Sequence, residues 1–147
     1  MVDALLRLLT QIDLKRIVAL LTIFEMNFII FLLLQQDETI RLCAFILVFF
    51  HSVMTAIEFL IVESIYCRFR TRSLLEISGL YQSHPNLFYM SFISLMFLLG
   101  FPGTPLFWIK LIVLSTIFFK SAFMLAILIL IFYFFLPVIL MRIWISI

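Results

Sequence analysis

Glu25, His51, Glu58 and Lys110 stand inside stretches of sequence that are otherwise Leu, Ile, Phe and Val, with Glu63 nearer the end of one such stretch. A charge at the centre of a membrane helix costs roughly 2.5–3.5 kcal/mol on insertion scales, so ionisable residues there are candidates for function. His51, Thr55 and Glu58 are spaced i, i+4 and i+7 and share one helix face. Such a stripe either relays protons or hydrogen-bonds a neighbouring helix. Glu25 shares a face with Thr22; buried as a carboxylate it requires a cationic partner, or it must carry a proton. Lys110 is the most informative position, because a buried lysine accepts and releases protons readily. The alternative for Lys110 is a side chain that snorkels to an interface, although the expected boundary at Lys120 is some distance away.

No soluble-enzyme motif accompanies these residues. The sequence has no phosphate-binding glycine loop, no CxxC and no histidine pair at metal-ligand spacing. No metal site and no redox centre are therefore expected on this chain. His84 precedes Pro85 in a connector and reads as a loop residue.

The elements that hold these positions must lie in lipid. The chain is 66% hydrophobic and 12% charged, against roughly 45–50% and about 25% in soluble domains. A net charge of +2 is too small and scattered for nucleic-acid binding. Cys43 and Cys67 fall at opposite ends of one predicted helix, too far apart to bridge within it. Residues 1–10 carry Asp3 and Arg7 and do not read as a cleavable signal; they suit a surface helix or the end of a crossing begun on another chain.

We read one membrane domain over 1–147, all-α, with about four crossings at 17–34, 42–66, 87–119 and 121–147. The third is too long for one straight helix and too short for two. It is interrupted by Gly100, Pro102, Gly103 and Pro105, residues that weaken a helix or remove backbone donors. That pattern predicts a discontinuous helix with halves at 87–99 and 106–119, a feature found near the binding sites of ion-coupled transporters. A proline-kinked helix or a short hairpin is the structural alternative. Pro137 is expected to kink the last crossing. With a single third crossing, Arg7, Lys15, Arg16, Arg68, Arg70, Arg72 and Arg142 share one side, against Arg41 and Lys120 on the other. This bias places the first loop in the cytoplasm or mitochondrial matrix.

Several stretches together resemble the chain 4 family of antiporter-like membrane subunits of mitochondrial NADH:ubiquinone oxidoreductase (respiratory complex I). Gln11-Ile12-Asp13-Leu14-Lys15-Arg16 is similar to the family's Q-T-D-x-K-R loop. His51 stands where the family has a membrane histidine. Tyr66-Cys67-Arg68-Phe69-Arg70-Thr71-Arg72 resembles its Y-x-R-x-H-T-R segment, and Gly79-Leu80 a following G-L pair. Gly100-Phe101-Pro102-Gly103-Thr104 resembles its L-G-x-P-G-T break. The matches run in order from about Gln11 to Leu114, and the arginine loop favours chain 4 over the sister chains 2 and 5.

The resemblance implies a multi-pass protein of the mitochondrial inner membrane, with the first loop and the Arg68–Arg72 loop on the matrix side. It implies a part in proton translocation coupled to electron transfer from NADH to ubiquinone. Lys110 would be the terminal proton-transfer group, with His51, Glu25 and Glu58 feeding it. NAD, FMN, iron–sulfur clusters and ubiquinone would be handled by other subunits. The partners would be other membrane-arm subunits, including a separate chain supplying the family's upstream helices, so that this chain is the C-terminal part of a split subunit. A cation/proton antiporter subunit and a structural subunit without pumping are the alternatives. Three residues depart from the pattern. Glu25 stands where the family commonly has histidine, Lys110 where chain 4 usually has glutamate and the sister chains lysine, and Arg70 replaces the loop histidine.

Overall fold

A computed structural model describes residues 2–77 and 79–119, with 127, 129–131, 133, 136–138 and 141 of the last segment. The described elements are all helical: α1 (Val2–Thr10), α2 (Leu14–Leu33), α3 (Glu38–Phe69), α4 (Leu80–Ser83), α5 (Pro85–Leu99) and α6 (Pro105–Phe119). The described residues of the last segment, within Ile129–Val138, are also helical. Most of the expected crossing at 121–147, Arg142 included, lies outside the described residues, as do 134–135 and 139–140 on either side of the expected kink at Pro137.

Both long helices start earlier than the apolar runs at 17–34 and 42–66. Asp13 caps α2, its carboxylate accepting from the Lys15 N–H at 3.0 Å, which draws Leu14, Lys15 and Arg16 into the first turn. The 20 residues of α2 extend about 30 Å, the thickness of a bilayer's hydrocarbon core. The 32 residues of α3 extend about 48 Å, so its ends must leave that core. It terminates at Arg70, which adopts a left-handed conformation (φ 59°) while its N–H bonds the Tyr66 carbonyl at 2.8 Å. Both helices are long and apolar enough to cross a membrane. α5 and α6, at 15 residues each, are about 22 Å long and too short to cross singly.

The connectors before α2 and after α3 are joined. Leu14 N–H bonds the Arg72 carbonyl at 3.0 Å and Leu74 N–H bonds the Ile12 carbonyl at 2.9 Å. This isolated antiparallel bridge, Asp13 against Ser73, brings two motif-bearing loops to one end of the bundle. Arg72 crosses to Glu63 at 3.6 Å and lies over the Tyr66 ring at 4.2 Å. The connector before α5 contains the short helix α4. The N-terminal residues form a short helix against α2, burying Ala4 and Leu8 and exposing the Asp3–Arg7 ion pair.

Losing the Asp13 cap should weaken this junction. Asp13→Ala is expected to cost about 1 kcal/mol and Asp13→Asn much less, read as a lower thermal midpoint of the purified protein for the alanine variant alone.

α3 packs against α2, α5 and α6, and its buried residues recur at helical spacing from Ile40 to Ile65. The core falls into two apolar clusters. One gathers Leu14, Leu21, Phe24, Val62, Ile65, Leu95 and Leu99; the other gathers Phe28, Leu32, Ala44, Leu47, Leu106 and Val113. The boundary between them passes at Glu25 on α2, at His51 to Glu58 on α3, and at the break between α5 and α6. The bundle therefore carries a buried polar layer near mid-height, with apolar packing above and below. Its outer surface stays apolar, with Phe45, Phe49 and Leu60 exposed, as contact with lipid requires. Cys43 is buried in the second cluster and Cys67 exposed; both are free thiols.

Candidate functional site: a buried ion pair at a broken helix

Gly100 makes the break possible. It takes φ 73°, a region glycine enters without steric cost. Its N–H bonds the Phe97 carbonyl and the Phe101 N–H bonds the Met96 carbonyl, both at 3.1 Å, the closing bonds of a helix that ends on a left-handed residue. The chain turns through Pro102 and Gly103 and re-enters helix at Pro105, just after Thr104. Buried Thr104 offers its hydroxyl to the Phe107 N–H at 3.4 Å, and Pro105 occupies the first helical position, where a missing N–H is harmless.

The Leu99 carbonyl at the end of α5 has no partner within its own helix. Lys110, on the second turn of α6, supplies one: its ammonium donates to that oxygen at 3.1 Å. It also donates to Glu25 Oε1 at 2.9 Å. The two side chains are 10% and 4% exposed, so Lys110 does not snorkel, and the cation that a buried Glu25 demands is in place. The carboxylate and the C-terminal end of the α5 dipole both favour a positive charge at Nζ.

Tyr133, from the last segment, completes the arrangement. Its ring centroid lies 4.4 Å from Lys110 Nζ and its hydroxyl donates to Glu25 Oε2 at 3.4 Å. A cavity of about 440 Å³ opens beside the break, lined by Gly100, Phe101, Pro102, Phe107, Lys110 and Tyr133 among other residues. Apart from the lysine its walls are mostly apolar.

The structure thus brings Glu25 and Lys110 into contact from positions 85 residues apart. His51 is buried on α3 within electrostatic reach of both, and its Nε2 has no hydrogen-bond partner among the described residues. Glu58 is not brought to the pair. It accepts from Ser94 on α5 at 2.8 Å, and the seven residues separating it from His51 amount to about 10 Å of helix. Thr55, between them, directs its hydroxyl to its own backbone, at His51 O (2.9 Å) or Ser52 O (3.1 Å). The stripe on α3 therefore serves three helices: α2 and α6 at His51, and α5 at Glu58. Glu63 pairs with Arg72 towards the bundle's end, and His84 meets Arg68 at 3.2 Å in an exposed contact.

Sequence reasoning missed Ser94, Tyr133 and the Leu99 carbonyl. Ser91 and Ser94, spaced i, i+3 in an apolar run, were a usable signal for α5; Tyr133 offered none beyond its ring. Among the described residues no group of three His, Cys, Asp or Glu side chains could hold a metal ion. The chemistry available is proton transfer. The N–H bond at Lys110 can break as an O–H bond forms on Glu25, turning a charged pair into a neutral one across 2.9 Å.

Residues 1–136 match the family described as NADH:quinone oxidoreductase/Mrp antiporter, transmembrane. The NADH-ubiquinone oxidoreductase chain 4 of Paramecium tetraurelia is 35% identical over 103 residues, 70% of this chain and 22% of that protein. The chain thus spans about a fifth of the length of the curated relative it matches.

Proposed function

The chain belongs to the NADH:quinone oxidoreductase/Mrp antiporter membrane family, and on that premise we propose that it forms part of a chain 4-like subunit in the membrane arm of a mitochondrial NADH:ubiquinone oxidoreductase, where it moves protons. The observation that carries this reading is the Glu25–Lys110 pair, held in a mid-height polar layer beside a broken helix and a cavity. Keeping two ionisable groups in that layer is costly and adds little to stability over apolar packing. A change in their protonation is what such a site offers in return.

In this reading Lys110 is the group that gives and takes the proton, Glu25 is its charge partner and acceptor, and His51 is the neighbouring carrier. Glu58 with Ser94 forms a separate station towards the Arg68–Arg72 end, which faces the matrix. Redox chemistry in other subunits drives the cycle, and NAD, FMN, iron–sulfur clusters and ubiquinone are bound there.

A second reading has an observation of its own. The Lys110 donors already meet a carboxylate, a carbonyl and a ring, as they would in a purely structural strut.

Purification from the native membrane in mild detergent, with partners identified by mass spectrometry, tests the proposal. We expect a very large assembly with NADH dehydrogenase activity. Recovery without redox subunits would defeat the respiratory assignment and favour a cation/proton antiporter of the same family.

A further inference from the structure

The last segment, which showed only hydrophobicity in the sequence, contributes one polar side chain to the buried pair. An ammonium group has three N–H donors. Glu25 takes one of those on Lys110 at 2.9 Å and the Leu99 carbonyl another at 3.1 Å. On the remaining side lies the face of Tyr133, at 4.4 Å. Aromatic faces carry negative charge density, and their attraction for a cation strengthens when water is excluded. The Tyr133 hydroxyl meanwhile reaches Glu25 Oε2, the oxygen that Lys110 leaves free. The ring itself is fixed from α2, with Phe24 and Phe28 edge-on at centroid distances of 6.3 and 5.1 Å.

We propose that Tyr133 is a positioning residue for proton transfer, its ring holding the Lys110 ammonium against Glu25 and its hydroxyl holding the carboxylate, so that together they favour the charged form of the pair. This inference rests on the proton-transfer reading of Lys110. Both contacts act on charge: the ring attracts Lys110 only while it is an ammonium, and an O–H donor binds a carboxylate more strongly than a neutral acid. When the Lys110 N–H breaks and the proton joins Glu25, both attractions weaken together. Tyr133 and Lys110 also line the same cavity, and the ring covers one side of the ammonium there. Without the ring the lysine could turn into that space and leave Glu25.

The test compares Tyr133→Leu with Tyr133→Phe in the assembled complex, reading protons translocated per NADH oxidised at matched amounts of complex. Tyr133→Leu removes ring and hydroxyl and is expected to lower that ratio about threefold or more. Tyr133→Phe keeps the ring and should retain most of it. If the leucine variant does not assemble, Tyr133→Met, closer in volume and without a π face, takes its place. A ring-less variant with the normal ratio, or a phenylalanine variant as poor as leucine, would overturn the inference. Lys110→Met in parallel separates the two levels of the argument. Normal translocation there defeats the proton-transfer reading itself. Lost translocation there, beside a normal Tyr133→Leu, defeats only the role of Tyr133.

Discussion

Lys110→Ala is expected to abolish coupled proton translocation, with at least a tenfold loss, and to destabilise the protein by about 3–5 kcal/mol. Two things happen at once in that variant. Glu25, 4% exposed, is left as a buried carboxylate without its cation, and the Leu99 carbonyl loses the ammonium that donates to it. The stability loss is that of an uncompensated charge, so it can be separated from the functional loss. Glu25→Gln combined with Lys110→Met removes both charges and should recover most of the stability, because a buried ion pair replaced by neutral side chains of similar volume is often no less stable. It should not recover translocation, since no proton-carrying group remains at either position. Thermal midpoints of the purified assembly and proton-to-electron ratios in sealed vesicles measure the two effects. A double variant that pumps normally would assign the pair to scaffolding alone.

Glu25 and Lys110 are two of the positions at which the sequence departs from the family pattern it resembles, and they are the two that touch. Taken singly, a glutamate in place of histidine and a lysine in place of glutamate each looks like damage to a proton path. Placed 2.9 Å apart, they answer each other: the carboxylate finds its cation in the lysine that departs from the pattern with it. The lysine also fits the backbone, because its cation stands at the carbonyl end of α5, where the helix dipole favours it. This arrangement holds an ionisable pair at the break.

Much of this was legible in the sequence, for identifiable reasons. A charge in an apolar run is conspicuous, so Glu25, His51, Glu58 and Lys110 stood out one by one. Glycines and prolines report the local backbone, so the interruption at Gly100 to Pro105 was visible as well. Helix ends were less so: apolar runs mark the lipid, whereas α2 and α3 continue to polar caps at Asp13 and Asp37. Partnership was out of reach. Sharing a face fixes which residues look in one direction, not which helix they meet, so the stripe on α3 gave no hint that His51 and Glu58 face different neighbours. Tyr133 was hidden by composition. In a chain with 19 phenylalanines, one more ring in an apolar segment reads as packing.

The second large effect is expected at Gly100, through contact with Lys110 as well as through its backbone. A Cβ at position 100 would sit 3.2 Å from Lys110 Cδ and 3.4 Å from both Lys110 Nζ and the Phe107 amide nitrogen. Gly100→Ala therefore carries the cost of a left-handed alanine, about 1–2 kcal/mol, and also pushes the lysine side chain away from Leu99 and Glu25 by a few tenths of an ångström. Gly103 provides the control. Its φ is 102°, yet a Cβ there meets nothing within 4 Å, so Gly103→Ala strains the same loop without touching the lysine. If the break serves only to bend the chain, the two variants should lose comparable stability and translocate protons alike. If it exists to hold Lys110 where it is, Gly100→Ala should slow translocation by about tenfold, since displacements of about 1 Å in a reacting geometry cost up to a hundredfold. Gly103→Ala should then remain near the normal rate. Equal translocation by the two variants, at equal levels of assembly, would mean that the close approach of Gly100 to Lys110 has no part in the chemistry.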